Sequence, residues 1–91
     1  MYILASRRNG TLYLGVSRDL RRRLTEHRTG WSQFTVRYHV HRLVWFEIHE
    51  SVVVARQRER TLKHWKRGWK LELIEEYNPA WRDLAGEIPF D

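Results

Sequence analysis

The 91-residue chain contains no cysteine. That excludes disulfide frameworks, Cys-ligated zinc and cysteine nucleophiles, and it suits a reducing cytosol. Proline occurs twice and glycine five times, which leaves no Pro/Gly/Ser linker or low-complexity tract. No apolar run approaches the roughly 18 residues of a membrane helix, and Met1 opens no basic-then-apolar leader. The expectation is a soluble cytoplasmic protein with no membrane attachment. With no internal repeat visible, residues 1–91 are read as one domain.

What the chain does have is aromatic content and arginine. Hydrophobic residues make up 42% and aromatics 13%, with five Trp, well above a disordered chain. Seventeen Lys and Arg face eleven Asp and Glu for a net charge of +6, and fourteen of the seventeen are Arg. Residues 1–70 hold sixteen basic and five acidic side chains, net +11; residues 71–91 hold one and six, net −5. A basic surface of that size either solubilises the protein or draws polyanions by counterion release. Arginine favours phosphate because its planar fork donates two hydrogen bonds at once.

Tyr2-Ile3-Leu4-Ala5 and Thr11 to Val16 are short β-prone runs. Asn9-Gly10 between them favours a tight reversal, so two antiparallel strands are expected to open the chain. Ser17 is a candidate N-cap for a helix over 18–28, with Gly30 as its stop. Residues 31–38 read as a loop, and Val40 to His49 as a third, central strand. Ser51 caps a second helix over 52–67, Gly68 ends it, and a third helix follows over 69–76 until Asn78-Pro79 breaks it. Trp81 to Glu87 add a last helical turn or two. The order β-β-α-β-α-α describes an α+β domain: a small three-stranded antiparallel sheet flanked by helices.

Helical spacing puts Leu20, Leu24 and His27 on one buried stripe and Arg23 at its edge, while Arg21 and Arg22 project elsewhere. An edge arginine snorkels, pairs with a carboxylate, or serves a site. On the second helix Ala55, Leu62 and Trp69 share a face at intervals of seven, and Glu59 falls within it among Arg56, Arg58, Arg60 and Lys63. An inward carboxylate must be paired, hydrogen-bonded or bound to a cation. It is either a structural ion pair or the ligand of one hard divalent ion, since Mg²⁺ commonly takes one or two carboxylates plus phosphate oxygens and water. Tyr2 and Tyr13, on adjacent strands, can share a face, either as cross-strand packing or as phenolic acid/base groups. Together Tyr2, Tyr13, Arg23, His27 and Glu59 form a credible phosphoryl-transfer set.

Gly15 either permits a tight turn or closes a motif. Trp65 and Trp69 either pack helices together or stack on exposed bases. His39, His41, His49 and His64 show no metal-ligand spacing. Asn78, beside Pro79, reads as a cap or turn residue.

Read in order, Tyr2-Ile3-Leu4, Leu12-Tyr13-Leu14-Gly15-Val16-Ser17 and Asp19-Leu20-Arg21-Arg22-Arg23-Leu24-Thr25-Glu26-His27 resemble the GIY-YIG endonuclease superfamily. The chain is most similar to its small stand-alone bacterial members. Like them it continues with Val44-Trp45-Phe46-Glu47, Ala55 to Glu59, Trp65 to Lys70, and Asn78-Pro79-Ala80-Trp81-Arg82-Asp83-Leu84. The resemblance implies catalytic roles for Tyr2, Tyr13, Arg23 and His27, a metal-binding Glu59, and a motif glycine at Gly15. It implies one divalent ion, Mg²⁺ or Mn²⁺, and phosphodiester hydrolysis in DNA, including structured or damaged DNA, with low intrinsic sequence specificity. Arg21, Arg22 and Arg23, then Arg56, Arg60 and Lys63, then Lys66, Arg67 and Lys70 are the expected nucleic-acid contacts. Only Met1 precedes Tyr2, so the Gly-Ile pair of the first half-motif is not represented; a short first strand with Tyr2 held loosely is expected. Two alternatives stand beside the enzyme. One is a DNA-binding module with little or no catalysis. The other is a protein-interaction adaptor whose acidic residues 71–91 dock a partner or mask the basic surface. A monomer or weak dimer is expected.

Overall fold

In the computed structural model, which describes residues 1–30 and 37–88, the chain opens on a hairpin of β1 (Tyr2–Ala5) and β2 (Leu12–Gly15). Asn9 takes the left-handed conformation at φ 57°, as the Asn-Gly dipeptide predicts. The turn is closed by Gly10 N–H donating to Arg7 O at 2.9 Å and Ser6 N–H to Thr11 O at 3.0 Å. β3 (Arg42–Phe46) pairs antiparallel with the other side of β1, giving the order β2-β1-β3. β1 is thus the central strand and β3 an edge, against the expectation from sequence. The reason is burial: every residue of β1 is buried on one face or the other, as only a strand flanked on both sides and covered on both faces can be.

The sheet separates two apolar clusters. Tyr2 and Leu4 meet Leu20 and Leu24 of α1 (Leu20–Arg28), with Val40, Leu43, Leu84 and Ile88. On the other side Met1, Ile3 and Ala5 meet Leu62 of α2 (Val52–Lys63) and Ile74 of α3 (Arg67–Tyr77). A bulge opposite the Ile3–Leu4 step lets consecutive residues Val44 and Trp45 both enter this second cluster.

The helix boundaries correct three sequence readings. The cap of α1 is Asp19, whose side chain accepts from Arg22 N–H at 3.1 Å; Ser17 instead exchanges hydrogen bonds with the Asp19 backbone. Ser51 does cap α2, accepting from Val54 N–H at 3.2 Å. That helix ends at Lys63 rather than near Gly68, which lies instead in the first turn of α3. The turn at His64–Lys66 lets Leu62 and Ile74 reach one cluster, which a single straight helix would not. Trp69 consequently leaves the Ala55–Leu62 face and stands 52% exposed, with its ring 6.1 Å from that of half-buried Trp65. Of the loop expected over 31–38, residues 31–36 lie outside the described residues.

The C-terminal segment closes the edge of β3. Leu84 N–H donates to Leu43 O at 2.8 Å and Arg42 Nη1 to Trp81 O at 3.1 Å. Asn78 is buried there: its Nδ2 donates to Val44 O at 3.1 Å and Arg82 O at 2.9 Å, and its Oδ1 accepts from Arg82 N–H at 3.3 Å. Val44 is the residue the bulge leaves unpaired, so Asn78 serves the carbonyl the ladder misses. A short 3₁₀ turn, Ala85–Glu87, follows. No described helix is long and apolar enough to cross a membrane.

Candidate active site

The pairing Tyr2↔Gly15 and Leu4↔Tyr13 sends Tyr2, Tyr13 and Gly15 to one face of the hairpin. The two phenol rings lie 6.3 Å apart, centroid to centroid. Gly15 is demanded by this packing, not by a turn: a Cβ there would stand 2.5 Å from the Tyr2 hydroxyl oxygen. Tyr2 is 1% exposed and Met1 5%, so the start of the chain is not held loosely. The Met1 amine donates to Glu47 O at 3.0 Å, and Glu47 N–H to Met1 O at 2.8 Å.

α1 crosses this face with the predicted stripe inward. Leu20, Leu24 and His27 are buried, and Arg23 lies at the edge. His27 is 0% exposed; its ring is 4.8 Å from Tyr13 and 5.8 Å from Tyr2, and its Nε2 is 2.9 Å from the Tyr2 hydroxyl. Burial pushes the Tyr2 pKa up to about 12, with the hydrogen bond to Arg23 pulling the other way. That same hydrogen bond is the main reason the Arg23 pKa is raised. Burial, then the charge of Arg23, lowers the His27 pKa. A guanidinium can only donate, so Arg23 donates to the Tyr2 oxygen. The imidazole tautomer sets which way the proton between Tyr2 and His27 Nε2 lies. Arg23 also interacts with the Tyr13 hydroxyl.

A residue that sequence reasoning did not single out holds Arg23 in place. Glu26 accepts from Arg23 Nη1 at 3.2 Å and lies 3.6 Å from Arg22. The i,i+3 spacing is visible in the sequence, but such pairs are common on solvated helices. Arg22 faces solvent, and Arg21 donates to Ile88 O at 2.9 Å.

Glu59 comes from α2, which packs beside β2. Its side chain is 21% exposed, and its ion-pair partner among the described residues is Lys63, at 3.7 Å, rather than an arginine. Its negative charge opposes ionisation of Tyr2 and favours the charged form of the Met1 amine, so the carboxylate lies within electrostatic reach of this end of the hairpin. No group of three or more His, Asp or Glu that could hold a metal occurs among the described residues. One weakly paired carboxylate beside open solvent fits Mg²⁺, which completes its shell with water and phosphate oxygens, and does not fit a closed zinc cage.

The remaining basic residues divide into two sets. Arg56, Arg60, Lys63 and Lys66 are exposed along α2 and the turn after it. Arg67 instead donates to Asn9 O and Gly10 O at 2.8 and 2.5 Å, and Lys70 to Lys63 O at 3.3 Å, ties that fasten α3 to the hairpin turn and to α2.

Residues 1–78 match the family model of the GIY-YIG catalytic domain. The chain belongs to the GIY-YIG family. Comparison with curated proteins and with solved structures gives no significant match. The three-stranded antiparallel sheet with its helices is the α+β arrangement expected of a GIY-YIG domain. Membership implies a nuclease-type chain acting on nucleic acid, in a family whose nucleases generally depend on a divalent metal. The Gly15 contact explains in steric terms why glycine stands opposite Tyr2 on the hairpin.

Proposed function

We propose that this GIY-YIG protein is a divalent-metal-dependent endonuclease that hydrolyses phosphodiester bonds in DNA with low intrinsic sequence specificity. The observation that carries the reading is the convergence of the Arg23 guanidinium on the two phenols, with the negative charge of Glu59, on another helix, acting on Tyr2 as well. In this reading Arg23 and half-exposed Tyr13 meet the scissile phosphate. Arg23 neutralises charge that builds on its oxygens, and the Tyr13 hydroxyl orients the attacking water by hydrogen bonding. Tyr2 and His27, buried behind them, fix the guanidinium and ring positions; with its pKa pushed up to about 12 by burial, the Tyr2 phenol stays protonated at neutral pH. Glu59 would hold the divalent ion, Mg²⁺ or Mn²⁺, which supplies Lewis-acid stabilisation of the phosphate when bound. The exposed cations of α2 hold the flanking backbone. Phosphate contacts position without reading sequence, so preference follows DNA shape.

The test is a divalent-metal titration on supercoiled, branched and single-stranded DNA. Mg²⁺- or Mn²⁺-dependent nicking is expected, reduced to background by chelation and by Glu59→Ala. Arg23→Lys is expected to be strongly impaired, because one ammonium does not reproduce the fork. Wild-type nicking in both purified variants would overturn the assignment.

A further inference from the structure

Behind Tyr2 lies a cavity of about 430 Å³, a volume typical of small-ligand sites. It is built from four separate stretches of chain: Met1 with the start of β1, the β2–α1 loop with Leu20, the run from Phe46 into the first turn of α2, and Ile88. Tyr2 is shared, so the cavity adjoins the face where Arg23 and Tyr13 converge. Its walls are apolar, with Leu20, Phe46 and Val52 lining it, and Ile48 and Val53 stand 59% and 66% exposed along it. Its polar groups are unlike those of a phosphate site. Glu47 and Glu50 both line it, in a part of the chain that is otherwise strongly basic. Glu47 is held by Arg58 at 3.2 Å. His49 Nε2 is buried 2.7 Å from Glu47 Oε1, within ion-pairing distance. Arg18 is the one Lys or Arg among the described lining residues.

Exposed Glu50, and the Glu47 oxygen that Arg58 and His49 do not engage, accept hydrogen bonds from the amino groups of cytosine, adenine and guanine, while an acidic wall disfavours a phosphate. An aromatic ring and aliphatic walls suit the flat apolar face of a base, and Arg18 suits the phosphate attached to it. We propose that this cavity receives an unpaired nucleobase of the DNA substrate, adjacent to the scissile phosphate. The inference rests on the nuclease reading and deepens it: the preferred substrate contains a bulged or otherwise unpaired nucleotide. The energetic basis is that such a base has already lost its partner, so less stacking and pairing is given up on entering the pocket.

The experiment measures binding of the full chain, in chelator so that nothing is cut, to two labelled duplexes. One is fully paired and one carries a single bulged fluorescent purine analogue. Wild type is expected to favour the bulged duplex by about tenfold and to shift the analogue's emission to that of an unstacked, enclosed ring. Val53→Trp and Ile48→Trp, both at exposed positions that fold readily accommodates, fill the cavity and are expected to bring the ratio near one. A wild-type ratio near one, or a ratio retained by either variant, would overturn the proposal. Absence of metal-dependent cleavage together with an intact ratio would sink the nuclease reading and leave the pocket standing; cleavage without the ratio would do the reverse.

Discussion

At the Tyr2 end of the sheet, buried polar atoms bond to one another: Arg23 to Tyr2, and Tyr2 to His27. At the opposite margin Asn78, just as buried, bonds to main chain alone, serving Val44 and Arg82. A side chain that satisfies backbone holds strands and turns in place and needs no access to solvent. A side-chain chain that ends in half-exposed Arg23 and Tyr13 passes its order outward to whatever binds there. Burial of a polar residue thus separates into scaffold and site according to what lies at the far end of its hydrogen bonds.

The contrast is broken most directly at Arg23. Arg23→Ala is expected to lower the cleavage rate by about a hundred- to a thousandfold, the usual loss for one preorganised donor, with little change in melting temperature. Asn78→Ala should behave in the opposite sense. It orphans buried carbonyl and N–H groups at a cost of about 1–3 kcal/mol each, which denaturant titration would register, while cleavage per folded molecule is retained. Failure of either variant to separate stability from activity would remove the distinction between the two regions.

The pH dependence sharpens it. His27 has a folded pKa below its ordinary value of 6.5, because burial and Arg23 disfavour the imidazolium. Below about pH 6.5 the unfolded chain therefore binds a proton that the folded chain refuses, so stability falls as pH drops and is unaffected by this group above that value. Tyr2 acts at the other limit: its folded pKa of about 12 exceeds the ordinary 10, so its contribution is lost as pH rises beyond 10. Thermal melts of wild type and His27→Asn across pH 5–8 check the acid side; the variant should lack that slope. The smallest expected effect is on the exposed cations. Arg56→Ala should reduce the slope of log affinity against log salt by about one, with no change in preference among sequences.

Much of α1 was legible. A 3.6-residue period identified Leu20, Leu24 and His27 as the inner face and Arg23 as its edge, and the helix has no competing signal. Ser17 and Asp19 are both good caps two residues apart, and only the backbone of the preceding turn decides between them. Strand order was not legible, because Tyr2-Ile3-Leu4-Ala5 and Leu43-Val44-Trp45-Phe46 are equally apolar and differ only in what flanks them. Nor was the turn at His64–Lys66, where no Gly or Pro stands; Gly68 drew attention to the wrong place, and Trp69 was carried to the wrong face with it. Of the candidate site, the placements of two unusual residues were legible: Arg23 lies at the edge of the apolar stripe and Glu59 is partly buried. That of Glu26 was not, since its spacing from Arg23 is that of an ordinary surface pair. The cavity beside Tyr2 had no linear signature at all, being assembled from four distant stretches.

The Gly15–Tyr2 contact ties two distant stretches of chain into one object. Because the phenol fills the volume a methyl group would need, position 15 is not free to grow while Tyr2 keeps its ring in place. Enlarging the glycine evicts the ring, and with it the anchor for both the imidazole and the guanidinium. A bulkier residue at 15 is tolerable only with a smaller one at 2.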